Sequence, residues 1–107
     1  MSSFDERKDS FERKFAHDEA LRFKAQARRN KLLGQWAAGL LGLDGPKADE
    51  YVKSVIKADF EEAGDEDVFR KVKGDFAAAG VDQSDHQIRR HMDEFMAEAV
   101  RQIKEQG

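Results

Sequence analysis

The chain of 107 residues has no cysteine, 38% charged residues and a formal net charge of -3. These values exclude disulfides and thiolate metal sites and leave no global positive footprint for nucleic acid. Its length sets one small domain with a single core, and no apolar run approaches the roughly 20 residues that span a bilayer.

In chain order, residues 1–20 place Phe4, Phe11 and Phe15 among ten charged side chains, with no other large apolar residue after Met1. On a helix the three Phe residues fall within about 40° of one another, a narrow seam in place of a wide core face. Ser3 with Glu6 has the spacing of a capping box, and Asp5 and Glu6 suit the positive end of a helix dipole. Residues 1–18 are therefore predicted to be an arm, disordered or frayed when free and helical when bound. Residues 19–107 form the folded domain in this reading. Met1-Ser2-Ser3-Phe4 leads straight into charges without an apolar signal region, so a cytoplasmic location is expected.

The stretch from Phe23 to Gly42 holds the single Trp and anchors the fold. Leu33, Trp36, Ala37 and Leu40 recur at helical spacing, widened by Leu32 and Leu41, which predicts a helix with one buried face. Upstream, Arg22, Lys24, Arg28, Arg29 and Lys31 follow one another without an acid between Ala20 and Leu43. Gly42, Asp44, Gly45 and Pro46 end this helix, and Pro46 suits the first turn of the next. The second helix carries Tyr51, Val52, Val55, Ile56 and Phe60 at core spacing. Asp65 is the expected cap of a third, with Val68, Phe69, Val72 and Phe76 inward and Gly80 as terminator. The fourth starts at a Ser84/Gln87 capping box and turns Ile88, Met92, Phe95, Met96, Ala99 and Ile103 inward. No period-2 signal for strands occurs, so the predicted fold is an all-α four-helix bundle. Its long first and fourth helices are expected to sandwich the two shorter ones.

Signals for chemistry are weak. Gly34 and Gly39 have the glycine spacing of a phosphate loop, but Leu40 and Leu41 replace its Lys and Ser or Thr and no strand precedes it. Gly34, Ala38 and Gly39 read instead as a surface for close helix approach. The acids Asp59, Glu61, Glu62, Asp65, Glu66 and Asp67 surround Gly64 without EF-hand spacing and read as caps and a solvated loop. His17, His86 and His91 lack metal-ligand spacing and are expected at the surface, so no metal site is predicted. The basic run reads as a solvated helix face. Its alternative is phosphate binding, with Arg22, Arg28, Arg29 and Lys31 contacting ATP or ADP. No nucleophile motif is present, and the chain is not expected to be an enzyme.

Three separated blocks then carry a resemblance. They are Phe15-Ala16-His17-Asp18; Phe23-Lys24-Ala25 with Ala27 to Gly34 and Trp36-Ala37-Ala38; and Asp59-Phe60-Glu61-Glu62 with Gly64 to Lys71. In this order they resemble the zeta subunit family, the small inhibitor subunit of the F-type ATP synthase of alpha-proteobacteria. Ala63 stands where the family pattern has Pro. The resemblance implies a four-helix protein whose N-terminal segment enters a catalytic α/β interface of the ATPase head beside the rotor and blocks ATP hydrolysis. On this chain that segment is about Ser2 to Asp18, with Phe4, Asp5, Arg7, Lys8, Phe11, Lys14 and Phe15 as partner-binding residues. The implied partners are the α, β and γ subunits; no cofactor is expected, and weak ATP or ADP binding belongs to the alternative reading. The implied protein is a monomer when free, and is peripheral to the inner membrane through the synthase. Alternatives are a nucleotide-sensing bundle, a helical module for RNA or DNA, and a protein-interaction adaptor using the Phe seam.

Overall fold

A computed structural model describes residues 18–59 and 65–106. Among these, four helices run as α1 (Glu19–Leu40), α2 (Gly45–Ala58), α3 (Glu66–Ala79) and α4 (Asp85–Gln106), with no strand. The all-α bundle read from helical periodicity is the observed fold.

Local chemistry sets each boundary. Asp18 has extended backbone angles, φ -104° and ψ 104°, and its Oδ1 accepts hydrogen bonds from the Ala20 and Leu21 N–H groups at 2.9 and 3.2 Å. At the other end of α1, Leu43 N donates to the Ala38 carbonyl at 2.9 Å across Gly42, whose φ is 77°. The same closure ends α3, where Gly80 has φ 72° and Val81 N donates to the Phe76 carbonyl at 2.9 Å. A left-handed residue at this position lets the chain satisfy carbonyls that the helix leaves open. Pro46 occupies the first turn of α2. The Ser84/Gln87 box is complete: Gln87 N donates to Ser84 Oγ at 3.1 Å and Ser84 N to Gln87 Oε1 at 2.8 Å.

The core joins Leu33 and Ala37 of α1, Val55 of α2, Val68, Phe69, Val72 and Phe76 of α3, and Ile88 and Met92 of α4. Trp36 and Phe95 are half-buried against it, and the Trp36 and Phe76 rings meet edge to face at 5.4 Å. Ala99 and Ile103 continue the buried side of α4. Phe60, assigned to the α2 core stripe, lies outside the described residues.

Three expectations are corrected. Leu40, the last residue of α1, is 41% exposed, whereas Leu41 beside it packs against the core. The long helices are not held apart by the short pair, since α1 packs directly against both α2 and α4. Of the three small residues, Gly39 meets nothing within 4 Å, whereas a Cβ built on Gly34 would stand 3.0 Å from Val52 Cα. Close approach of α1 and α2 therefore rests on Gly34.

The two glycines make a paired test. Gly34→Ala is expected to lower stability by about 1–2 kcal/mol, because overpacking against backbone outweighs the gain in helix propensity. Gly39→Ala, facing open space, is expected to raise stability by about 0.5–1 kcal/mol. Urea unfolding of both variants checks the opposite signs.

Candidate functional site

Of the arm assigned to partner binding, only Asp18 is described; Phe4, Asp5, Arg7, Lys8, Phe11, Lys14, Phe15 and His17 lie outside the described residues. The site is therefore best defined at its root, where the N-terminal half of α1 meets the start of α3 and the C-terminal half of α4.

Arg29 is the central side chain of this root. Among the described residues it is one of two buried polar or charged ones, with Asn30, and its side chain is 2% exposed. Nη2 donates to Asp65 Oδ1 at 2.8 Å and Nε donates to Asn30 Oδ1 at 2.7 Å. A guanidinium removed from water is stable only when paired and hydrogen-bonded, so the ion pair fixes the first residue before α3 to the middle of α1. Asp65 consequently makes no side-chain capping bond to α3. Asn30 Nδ2 is buried without a hydrogen-bond partner among the described residues.

The expected solvated face holds for only part of the basic run. Arg29 is interior, and Arg28 is half-buried, its Nη1 donating to Gln102 Oε1 of α4 at 2.9 Å. Arg22, Lys24 and Lys31 are exposed. Arg22 and Lys31 point about 180° apart around the helix, so the four residues considered for phosphate do not converge. Sequence periodicity carried one usable signal for Arg29: it lies four residues before Leu33, on the buried stripe.

The acidic motif is likewise more structural than a solvated loop. Besides Asp65 with Arg29, Glu66 Oε1 accepts from Arg89 Nη2 at 2.9 Å. The Arg89 guanidinium also lies 3.9 Å from the centre of the Phe69 ring. Between α2 and α3 a polar cleft of about 480 Å³ is lined by Ser54, Lys57, Ala58, Asp67, Arg70 and Lys71. Asp67 Oδ2 is buried there without a hydrogen-bond partner among the described residues. Beside the cleft, the Tyr51 hydroxyl donates to Asp75 Oδ2 at 2.8 Å, and Lys71 Nζ shares that oxygen at 3.1 Å. Burial first, then this carboxylate, push the Tyr51 hydroxyl above the usual phenol range.

His86 is exposed as expected, but His91 is not a plain surface residue. Its ring stacks on Trp36 at 4.2 Å and 28°, with Phe95 at 5.9 Å and a Glu94 carboxylate oxygen 3.8 Å from Nδ1. The reason is positional: His91 lies one residue before Met92 and one turn before Phe95, at the rim of the α4 core stripe. Among the described residues no group of three or more His, Asp or Glu could hold a metal ion. No described helix is long and apolar enough to cross a membrane.

Comparison with known proteins connects this geometry to a family. The family model described as ATPase inhibitor subunit zeta matches residues 1–102. A solution NMR structure is 45% identical, with a TM-score of 0.71, over 81% of this chain and 99% of that one. No curated protein matches.

Proposed function

Since the chain belongs to the ATPase inhibitor subunit zeta family, we propose that it inhibits ATP hydrolysis by the F-type ATP synthase. Residues 2–18 enter a catalytic α/β interface next to the rotor, and the bundle serves as the anchor outside the head. The observation that carries this reading is the extent of the family match, which begins at residue 1 and so includes the arm. Physical chemistry supports it. Burying Phe4, Phe11 and Phe15 in a groove would contribute roughly 1.5–3 kcal/mol each, and the interleaved charges select a groove of mixed polarity. Starting an isolated helix costs about 4 kcal/mol for a nucleation constant near 10⁻³, a cost that capture by a groove offsets.

The test is ATP hydrolysis by an F-type ATPase stripped of its own inhibitor, measured with the full chain and with a chain lacking residues 1–18. Full-length protein is expected to lower the rate at least about tenfold, which corresponds to about 1.4 kcal/mol, and the shortened protein to leave it unchanged. Equal inhibition by both would move the inhibitory contact to the bundle. Inhibition by neither would overturn the reading.

A further inference from the structure

The turn between α1 and α2 holds a covalent weak point. Asp44 is followed by Gly45, the single Asp-Gly pair of the chain, whereas the single asparagine, Asn30, precedes a lysine inside α1. Both residues of the pair are exposed. Asp44 is the N-cap of α2, yet its carboxylate makes no capping bond, in contrast to Asp18, which accepts from the Ala20 and Leu21 N–H groups. Asp65 also makes no capping bond, but it is tied to Arg29 and followed by Glu66. Gly45 adds two conditions. As the first residue of α2, its N–H has no intrahelical acceptor. Its φ is 55°, a left-handed conformation that favours glycine, so the turn selects the residue whose nitrogen is least shielded by a side chain.

We propose that Asp44 is a site of spontaneous covalent modification, where the Asp44–Gly45 linkage of the folded protein isomerises to isoaspartate through a cyclic imide. The Gly45 main-chain nitrogen attacks Cγ of the protonated Asp44 carboxyl. An N–C bond forms, the nitrogen gives up its proton and Cγ its hydroxyl, and the two leave as one water. Water then opens the five-membered ring. Attack at Cγ restores aspartate, whereas attack at the Asp44 main-chain carbonyl carbon routes the chain through Cβ and Cγ and frees the α-carboxylate. Ring closure rotates Asp44 about its ψ, which is 169°, and no side-chain bond opposes the rotation. The Asp44 carbonyl accepts only the Ala48 N–H, at 3.4 Å, longer than the usual range for such bonds. The product gains a main-chain atom at the start of α2 and loses this carbonyl as an acceptor. The proposal is independent of the inhibitory reading.

The experiment ages the full chain in neutral buffer well below its unfolding temperature, beside its Asp44→Glu variant and beside the same full chain unfolded in urea. Circular dichroism establishes that the variant is folded. The tryptic peptide 32–47 carries Trp36, so its aspartate and isoaspartate forms, equal in mass, are separated and quantified by absorbance. The imide between them is lighter by one water. Electron-transfer fragmentation places the isomer. An L-isoaspartyl methyltransferase, which moves a methyl group from S-adenosylmethionine to the freed carboxylate, confirms it. The folded chain is expected to form isoaspartate at residue 44 at least about tenfold faster than at any other aspartate, a barrier lower by about 1.4 kcal/mol. Asp44→Glu, whose ring would need six members, is expected to lose most of the methyl acceptance. An unchanged residue 44 after ageing overturns the proposal, as does comparable isomerisation at another aspartate. Isomerisation of residue 44 confined to the unfolded chain in urea overturns it as well.

Discussion

Replacing Phe76 with alanine is expected to remove about 3–5 kcal/mol of stability, the usual range for a fully buried aromatic. Phe76 is 1% exposed and meets Trp36 edge to face at 5.4 Å. It also lies in the last turn of α3, where its carbonyl receives Val81 N–H across Gly80. Neither helix end can shift far to fill the void without breaking that closure. Domains of this size have about 5–15 kcal/mol in total, so the variant should lose a large share and unfold roughly 15–30 °C lower. The single Trp makes the measurement direct, because its emission follows the same packing. A loss below about 1 kcal/mol would show that α1 and α3 collapse onto the gap.

The second large effect belongs to the buried charge. Asp65→Ala leaves the Arg29 guanidinium interior, with Asn30 Oδ1 as its remaining side-chain acceptor among the described residues. Removing one partner of a fully buried pair costs about 3–5 kcal/mol. Asp65 is 47% exposed, so solvent screening lowers the expected loss to about 2–3 kcal/mol. Arg29→Met removes the charge together with its need for a partner and should cost less, about 1 kcal/mol or under. The double variant should then be more stable than Asp65→Ala alone, a sign reversal that simple addition of two lost contacts does not produce. Urea denaturation of the three variants checks it; strict additivity would show that Arg29 finds solvent or another acceptor.

Helix ends were legible in the sequence because they depend on local chemistry. Ser84 with Gln87, Gly80, and Pro46 after Gly45 each act within one turn, and each appears where its spacing places it. Core positions of α3 and α4 were legible for a similar reason, since their apolar residues share one helical face. The failures occur where a side chain's fate is decided by a different helix. Arg29 reads as one more cation in a basic run until Asp65, 36 positions away, is brought beside it. His91 reads as a surface residue until Trp36 covers its ring. Leu40 errs in the opposite direction, because helical periodicity carries the Leu33 stripe on to the last residue of α1, which is exposed. Residues 1–18 are legible in the sequence as a charged segment with a Phe seam, and periodicity alone identifies no partner for it.

The extended backbone of Asp18 turns the start of α1 into a latch. A helix running unbroken from the arm into the bundle requires the Asp18 ψ angle to rotate from 104° to near -42°. Its carboxylate would then surrender the Ala20 and Leu21 N–H groups to main-chain carbonyls upstream. Undoing an aspartate cap of this kind costs about 1 kcal/mol, and the replacement main-chain bonds return part of it. The junction thus sets an energetic threshold that binding of residues 2–18 as a helix continuous with α1, as proposed above, must exceed.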